Sequence, residues 1–157
     1  RLHMQGVMQS SNTMLAQFEM ATGQEALAHG EVEAAYRAFA KSVAIFDASP
    51  RFQPTRTMAA ALLARTESTL GRQAAALQRV EEAVIRARSM SSAGSASGLA
   101  HSAWLGQALL AQALVQRAAG QGDAARQRAE EALPHLQATM GDLAPETREA
   151  VAFLAAR

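Results

Sequence analysis

Apolar positions recur at helical spacing three times along the chain. Val32, Ala35, Phe39, Val43 and Phe46 share one helix face, and Ala76, Val80, Ala83, Ala87 and Met90 repeat the stripe. Ala125, Ala129, Ala132, Leu136 and Met140 give it a third time. A short glycine turn precedes each stripe, at His29-Gly30, at Gly71 and at Gly120-Gln121-Gly122. Before each turn lies another alanine-rich helical stretch, over about 13–28, 55–70 and 99–119. Glycine just past a helix end, with a second helix a few residues later, gives an antiparallel hairpin. Three hairpins in succession are predicted. Pro145 suits a first helical position and Glu146 the positive helix end, so a lone closing helix is expected over 147–157. Strand-like alternation is absent, and the expected fold class is all-α with seven helices.

The hairpins also resemble one another residue by residue. Residues 75–84 match 124–133 at seven of ten positions, and 34–43 follow more loosely. Alanine supplies 38 of the 157 residues and aromatics only 4%, so helices must pack small face to small face. Two stretches break the regularity. Residues 89–98, rich in Ser, Ala and Gly, read as a flexible solvated loop. Pro134 sits inside the last stripe and is expected to bend that helix near Glu130. Residues 1–12 read as disordered or as a remnant of cloning around His3-Met4, leaving 13–157 as one repeat domain and a piece of a larger protein.

Small residues at fixed distances from each turn make a family resemblance specific. Gly23, Gly30, Ala35 and Ser42 fit the tetratricopeptide repeat (TPR) pattern in the first unit. Ala64, Gly71, Ala76 and Ala83 fit it in the second, and Ala113, Gly120, Ala125 and Ala132 in the third. Leu63 also fills the usual leucine place. The aromatic residues of the first helix and the closing proline of that pattern are missing. The turn glycines Gly30, Gly71 and Gly120 stand 41 and 49 residues apart, longer than the standard repeat of about 34. That spacing, with Gly141-Asp142-Leu143-Ala144-Pro145-Glu146-Thr147 as a lead-in to a further helix, resembles the kinesin-light-chain-like branch found in bacterial regulatory proteins. The resemblance implies a right-handed solenoid of about three helix pairs and a closing helix.

Charge and chemistry narrow the function by exclusion. Fifteen bases against 14 acids leave +1, with Lys41 the lone lysine, and no basic patch favours nucleic acid. The longest uncharged stretch, 89–116, carries too many Ser, Gly and Gln for a membrane span. His29-Gly30-Glu31 has the spacing of a zinc deaminase motif, but the chain has no cysteine to complete it. His3, His29, His101 and His135 form no zinc-helix pair, and Gly94 and Gly98 frame Ala96 where a nucleophile elbow needs Ser. Glu81-Glu82 and Glu130-Glu131 occupy equivalent places in two repeats and read as a solvated face. Neither a catalytic constellation nor a cofactor is expected, and the setting is read as cytoplasmic.

What the resemblance implies instead is a concave surface lined by the first helix of each pair. Its groove positions fall at Gln17, Met20, Gln24, Leu27 and Ala28, then at Met58, Ala61, Arg65, Ser68 and Thr69. The third set is Gln107, Leu110, Leu114, Arg117 and Ala118. Family members that hold a C-terminal carboxylate use Lys, Asn and Arg where this chain has Met20, Gln24, Leu62 and Arg65, so that clamp is not reproduced. The expected partner is a protein or peptide segment of acidic-apolar character, drawn by Arg65 and Arg117. Leu110 and Leu114 are read as an exposed binding strip, and Trp104, Ala108, Ala111, Val115 and Ala118 as the face packed inside. The alternative is a homodimer formed through the uncharged third first-helix.

Overall fold

The computed structural model describes residues 2–48, 53–94 and 101–156. Among them run seven helices: α1 (Leu2–Ala28), α2 (Val32–Asp47), α3 (Gln53–Thr69), α4 (Gln73–Gly94), α5 (Ala103–Ala118), α6 (Gly122–Met140) and α7 (Pro145–Ala155). The described residues contain no strand.

Three near-identical turns close the hairpins. The amides of Glu31, Arg72 and Gln121 donate to the carbonyls of Ala26, Glu67 and Gln116 at 2.8, 2.8 and 2.9 Å. The turn glycines Gly30, Gly71 and Gly120 donate three residues back, and all three have φ between 75° and 79°. This is the six-to-one and five-to-two bonding of a Schellman motif, which needs the left-handed backbone glycine adopts freely. The next helix begins at once, as the amides of Ala35, Ala76 and Ala125 donate to Glu31, Arg72 and Gln121.

Those turns set the register of the repeat. Gly23, Ala64 and Ala113, each seven residues before its turn glycine, are all buried. Ala35, Ala76 and Ala125, together with Ser42, Ala83 and Ala132, are buried opposite them. With small side chains on both sides the helices approach closely. A Cβ on Gly106 would come 3.0 Å from side-chain atoms of His135 and Leu136 on α6. Phe39, Phe46, Leu109 and Leu136 fill the space between the small contacts.

Successive hairpins stack into two layers. α3 packs on α2, α5 on α4 and α7 on α6, while α3 and α5 also touch directly. No comparable packing joins α2 to α4 or α4 to α6. α3 and α5 of the first layer thus lie closer together than α2, α4 and α6 do in the second, and the layer of α1, α3 and α5 is called the inner one. Across the outer layer, Arg88 of α4 reaches Glu131 of α6 at 2.6 Å.

The structure differs from the sequence reading in several places. α1 starts at Leu2 rather than near residue 13, so the helix takes in 2–12. α4 continues to Gly94, which makes 89–94 helical where a loop was expected; 95–98 lie outside the described residues. A helix dominated by Ala and Arg simply propagates through Ser89-Met90-Ser91, and the Ser91 hydroxyl bonds back to Ala87. α6 runs unbroken through Pro134 to Met140, leaving the Glu130 carbonyl without its usual helical donor.

Candidate binding groove

On the inner layer, residues from four helices surround a cleft of about 70 Å³. Gln24 comes from α1, Met58, Ala61, Leu62 and Arg65 from α3, Gln107, Leu110 and Ala111 from α5, and Glu146 from α7. A second, more open depression of about 230 Å³ continues along α3 and α5 between Arg65, Ser68, Thr69, Leu114, Val115 and Ala118. Helical spacing explains the set: Met58, Leu62, Arg65 and Thr69 lie three or four residues apart, as do Gln107, Leu110, Leu114 and Ala118.

The nominated residues divide into three groups. Gln24, Met58, Arg65, Gln107 and Leu110 meet around the first cleft, and Leu114 lines the second. Gln17, Leu27 and Ala28 are exposed on α1 away from both clefts, and Met20 packs against the core. Arg117 lines neither, because its guanidinium lies 4.1 Å over the Phe153 ring of α7.

Leu110 is not an exposed strip residue. It is 1% exposed and belongs to the main core, forming the floor of the cleft, while Leu114 is half-buried. Trp104 reverses in the other sense. Expected inside, it is 38% exposed at the first turn of α5, and the packed face begins at Ala108 and ends at Val115. Ala118 is also exposed. Along α5, Leu105, Gly106, Ala108, Leu109, Leu110, Ala111, Gln112, Ala113 and Val115 are all enclosed, so most of the apolar surface read as available for a dimer contact packs within the chain. α5 carries no charge before Arg117 because neighbours cover most of its length.

Electrostatics at the mouth also depart from expectation. Arg65 donates to Glu149 of α7 at 2.5 Å, and Glu146 lies one turn away on the same rim. Both arginines read as free attractors for an acidic segment are therefore held by α7. Amides supply the remaining polarity: Gln24 is exposed, and Gln107 donates to the Met140 sulfur at 3.5 Å. Sequence reasoning missed Glu146 and Glu149. Their three-residue spacing showed one shared face, but only the docking of α7 aims that face at α3.

Perturbed ionisation lies on the outer layer instead. Glu131 is held below the usual carboxylate range, first by its hydrogen bond with Arg88 and further by Arg128. His135 is pushed down by burial, then by His101, whose ring meets it edge-on at 5.4 Å. Among the described residues no cluster of three His, Asp or Glu side chains could hold a metal ion. No helix there is long and apolar enough to cross a membrane.

Comparison with known proteins places the architecture. No protein-family model matches the chain, and no curated protein matches it. Among solved structures, a TPR-like protein from Chlorobium tepidum TLS superposes with a TM-score of 0.67 over 94% of this chain and 96% of that one. The fold is TPR-like. Sequence identity is 16%, so the likeness carries the fold alone. Within that TPR-like frame the two clefts lie on the inner, first-helix layer.

Proposed function

We propose that the chain is a protein- or peptide-binding module that works by holding a partner segment, without chemistry of its own. TPR-like helical repeats commonly bind proteins and typically act without catalysis. The observation that carries the reading is the first cleft, because its dimensions select the kind of ligand. Sites for drug-sized molecules begin at about 300 Å³. A cleft of about 70 Å³ suits one apolar side chain seated on Leu110 and Leu62, with Met58 as an adaptable wall. Gln24 and Gln107 offer donors and acceptors to an extended backbone passing over the rim. The depression along Leu114 and Val115 would take the next residues.

The favoured partner is apolar with neutral flanks rather than acidic. A partner carboxylate aimed at Arg65 would first have to displace Glu149. The spacing of the turn glycines supports the kinesin-light-chain-like kind, and a larger bacterial regulatory protein is the setting that this resemblance implies.

A randomised peptide library selected against the whole chain tests the reading. Enriched peptides should share an apolar anchor, and Met58→Arg, filling the mouth, should weaken them at least about tenfold, or about 1.4 kcal/mol, while helicity is unchanged. Selection of no common anchor, or binding indifferent to Met58→Arg, would overturn it.

A further inference from the structure

The first cleft carries an unbalanced charge on one wall. Arg65 lines both clefts, yet its guanidinium is tied to Glu149 at 2.5 Å, and those two charges cancel. Arg117 of α5 lies over the Phe153 ring and borders neither cleft. Glu146, in the first turn of α7, is the remaining charge at the first cleft. It is half-buried, and among the described residues its side chain makes no ion pair or hydrogen bond. One negative charge is thus in excess at the mouth. The uncharged rim adds acceptors to it. Gln107 gives an amide N–H to the Met140 sulfur at 3.5 Å, which leaves its Oε1 to accept, and the Gln24 amide is exposed.

We infer that the groove takes a protein segment with a lysine or arginine beside its apolar anchor, held by Glu146. The inference rests on the groove reading and deepens it, replacing one of the two neutral flanks with a cationic one. Size and charge choose this occupant together. A cleft of about 70 Å³ takes the anchor and no more, so the neighbouring residue of the segment lies on the rim, where Glu146 stands. A carboxylate there would face Glu146 and Glu149 with Arg65 already engaged, and like charges across an interface are disfavoured. A cation instead meets one unpaired carboxylate, and its further N–H groups can use the amide oxygens of Gln107 and Gln24. The apolar stem of Lys or Arg suits the cleft wall while the charged head stays at the rim.

A randomised peptide library selected in parallel against the whole chain and its Glu146→Lys variant reads the outcome. Both pools should share the apolar anchor. Beside it the wild-type pool should carry Lys or Arg, and the variant pool Asp or Glu. In a peptide from the wild-type pool, exchanging that basic residue for Gln should weaken binding about three- to fivefold, as for an exposed ion pair at its stronger end. The same exchange should have no effect on binding to Glu146→Gln, and the difference should fade at high salt. Both variants should keep the helicity of the parent. A common anchor with no basic residue beside it would overturn this inference and leave the groove reading standing. A basic preference that survives Glu146→Lys would do the same. Absence of a common anchor would overturn both.

Discussion

Gly23 lies directly against Phe39: a Cβ placed on Gly23 would come 2.5 Å from Cε1 of that ring. The same register position holds Ala64 in the second hairpin and Ala113 in the third, where the residues equivalent to Phe39 are Val80 and Ala129. Volume is exchanged across each hairpin, a bare glycine opposite the largest side chain and alanine opposite smaller ones. Interior packing as dense as a crystal makes the two sides interdependent.

Gly23→Ala should therefore destabilise, although alanine is the better helix former by about 1 kcal/mol. Overpacking against Phe39 costs about 1–3 kcal/mol and outweighs that gain. Adding Phe39→Val, which copies the second hairpin, should relieve the clash and give a coupling of at least about 1 kcal/mol in denaturant unfolding. Additive single effects would show that the two side chains do not constrain each other.

Glu67 provides the second test. It is 2% exposed and accepts two hydrogen bonds from the Arg79 guanidinium, both at 2.9 Å. Arg79→Met leaves that carboxylate enclosed and unpaired, at an expected cost of about 3 kcal/mol. The double variant with Glu67→Gln should be less damaged than Arg79→Met alone. In the third hairpin the equivalent pair is Gln116 and Arg128, where Gln116 Oε1 and Arg128 Nε lack partners. Gln116→Glu should restore the bridge and add about 1 kcal/mol; a lowered thermal midpoint would contradict this.

Stability should fall on acidification in two steps. His135 Nδ1 accepts the Ser102 amide at 3.1 Å, so that nitrogen must be unprotonated, and burial together with His101 lowers the His135 pKa. Glu131 opposes that shift and Arg88 adds to it. With the folded value below the ordinary 6.5, the unfolded chain takes the proton first. Stability present above pH 6.5 is then lost between that value and the lower folded one. A second loss follows below pH 4.5 as Glu131 is protonated and releases Arg88. Thermal midpoints from pH 8 to 3 check both, and His135→Phe should flatten only the upper step.

Leu110→Ala should cost about 2–5 kcal/mol, as for an enclosed leucine, and Leu114→Ala distinctly less. Trp104 emission should shift little on unfolding because the indole is already partly wet. Equal losses from both leucines, or a strongly blue native emission, would contradict the observed burial.

The sequence by itself determined the helices, the three hairpins and the register of small residues. Each rests on interactions that span at most about five residues: helical periodicity and the Schellman bonds at Gly30, Gly71 and Gly120. It also named most of the cleft, because Met58, Arg65, Gln107 and Leu110 follow from repeat position once the turns are fixed. Tertiary structure alone decided which of those side chains meet solvent. Leu110 is sealed and Trp104 opened by how the other helices stack against α5, and an apolar residue fits either role. The partner of Arg65 is Glu149, 84 residues away on α7, and no local spacing encodes that distance. Periodicity assigns a side chain to a face of its own helix; only the stacking of helices decides what that face touches.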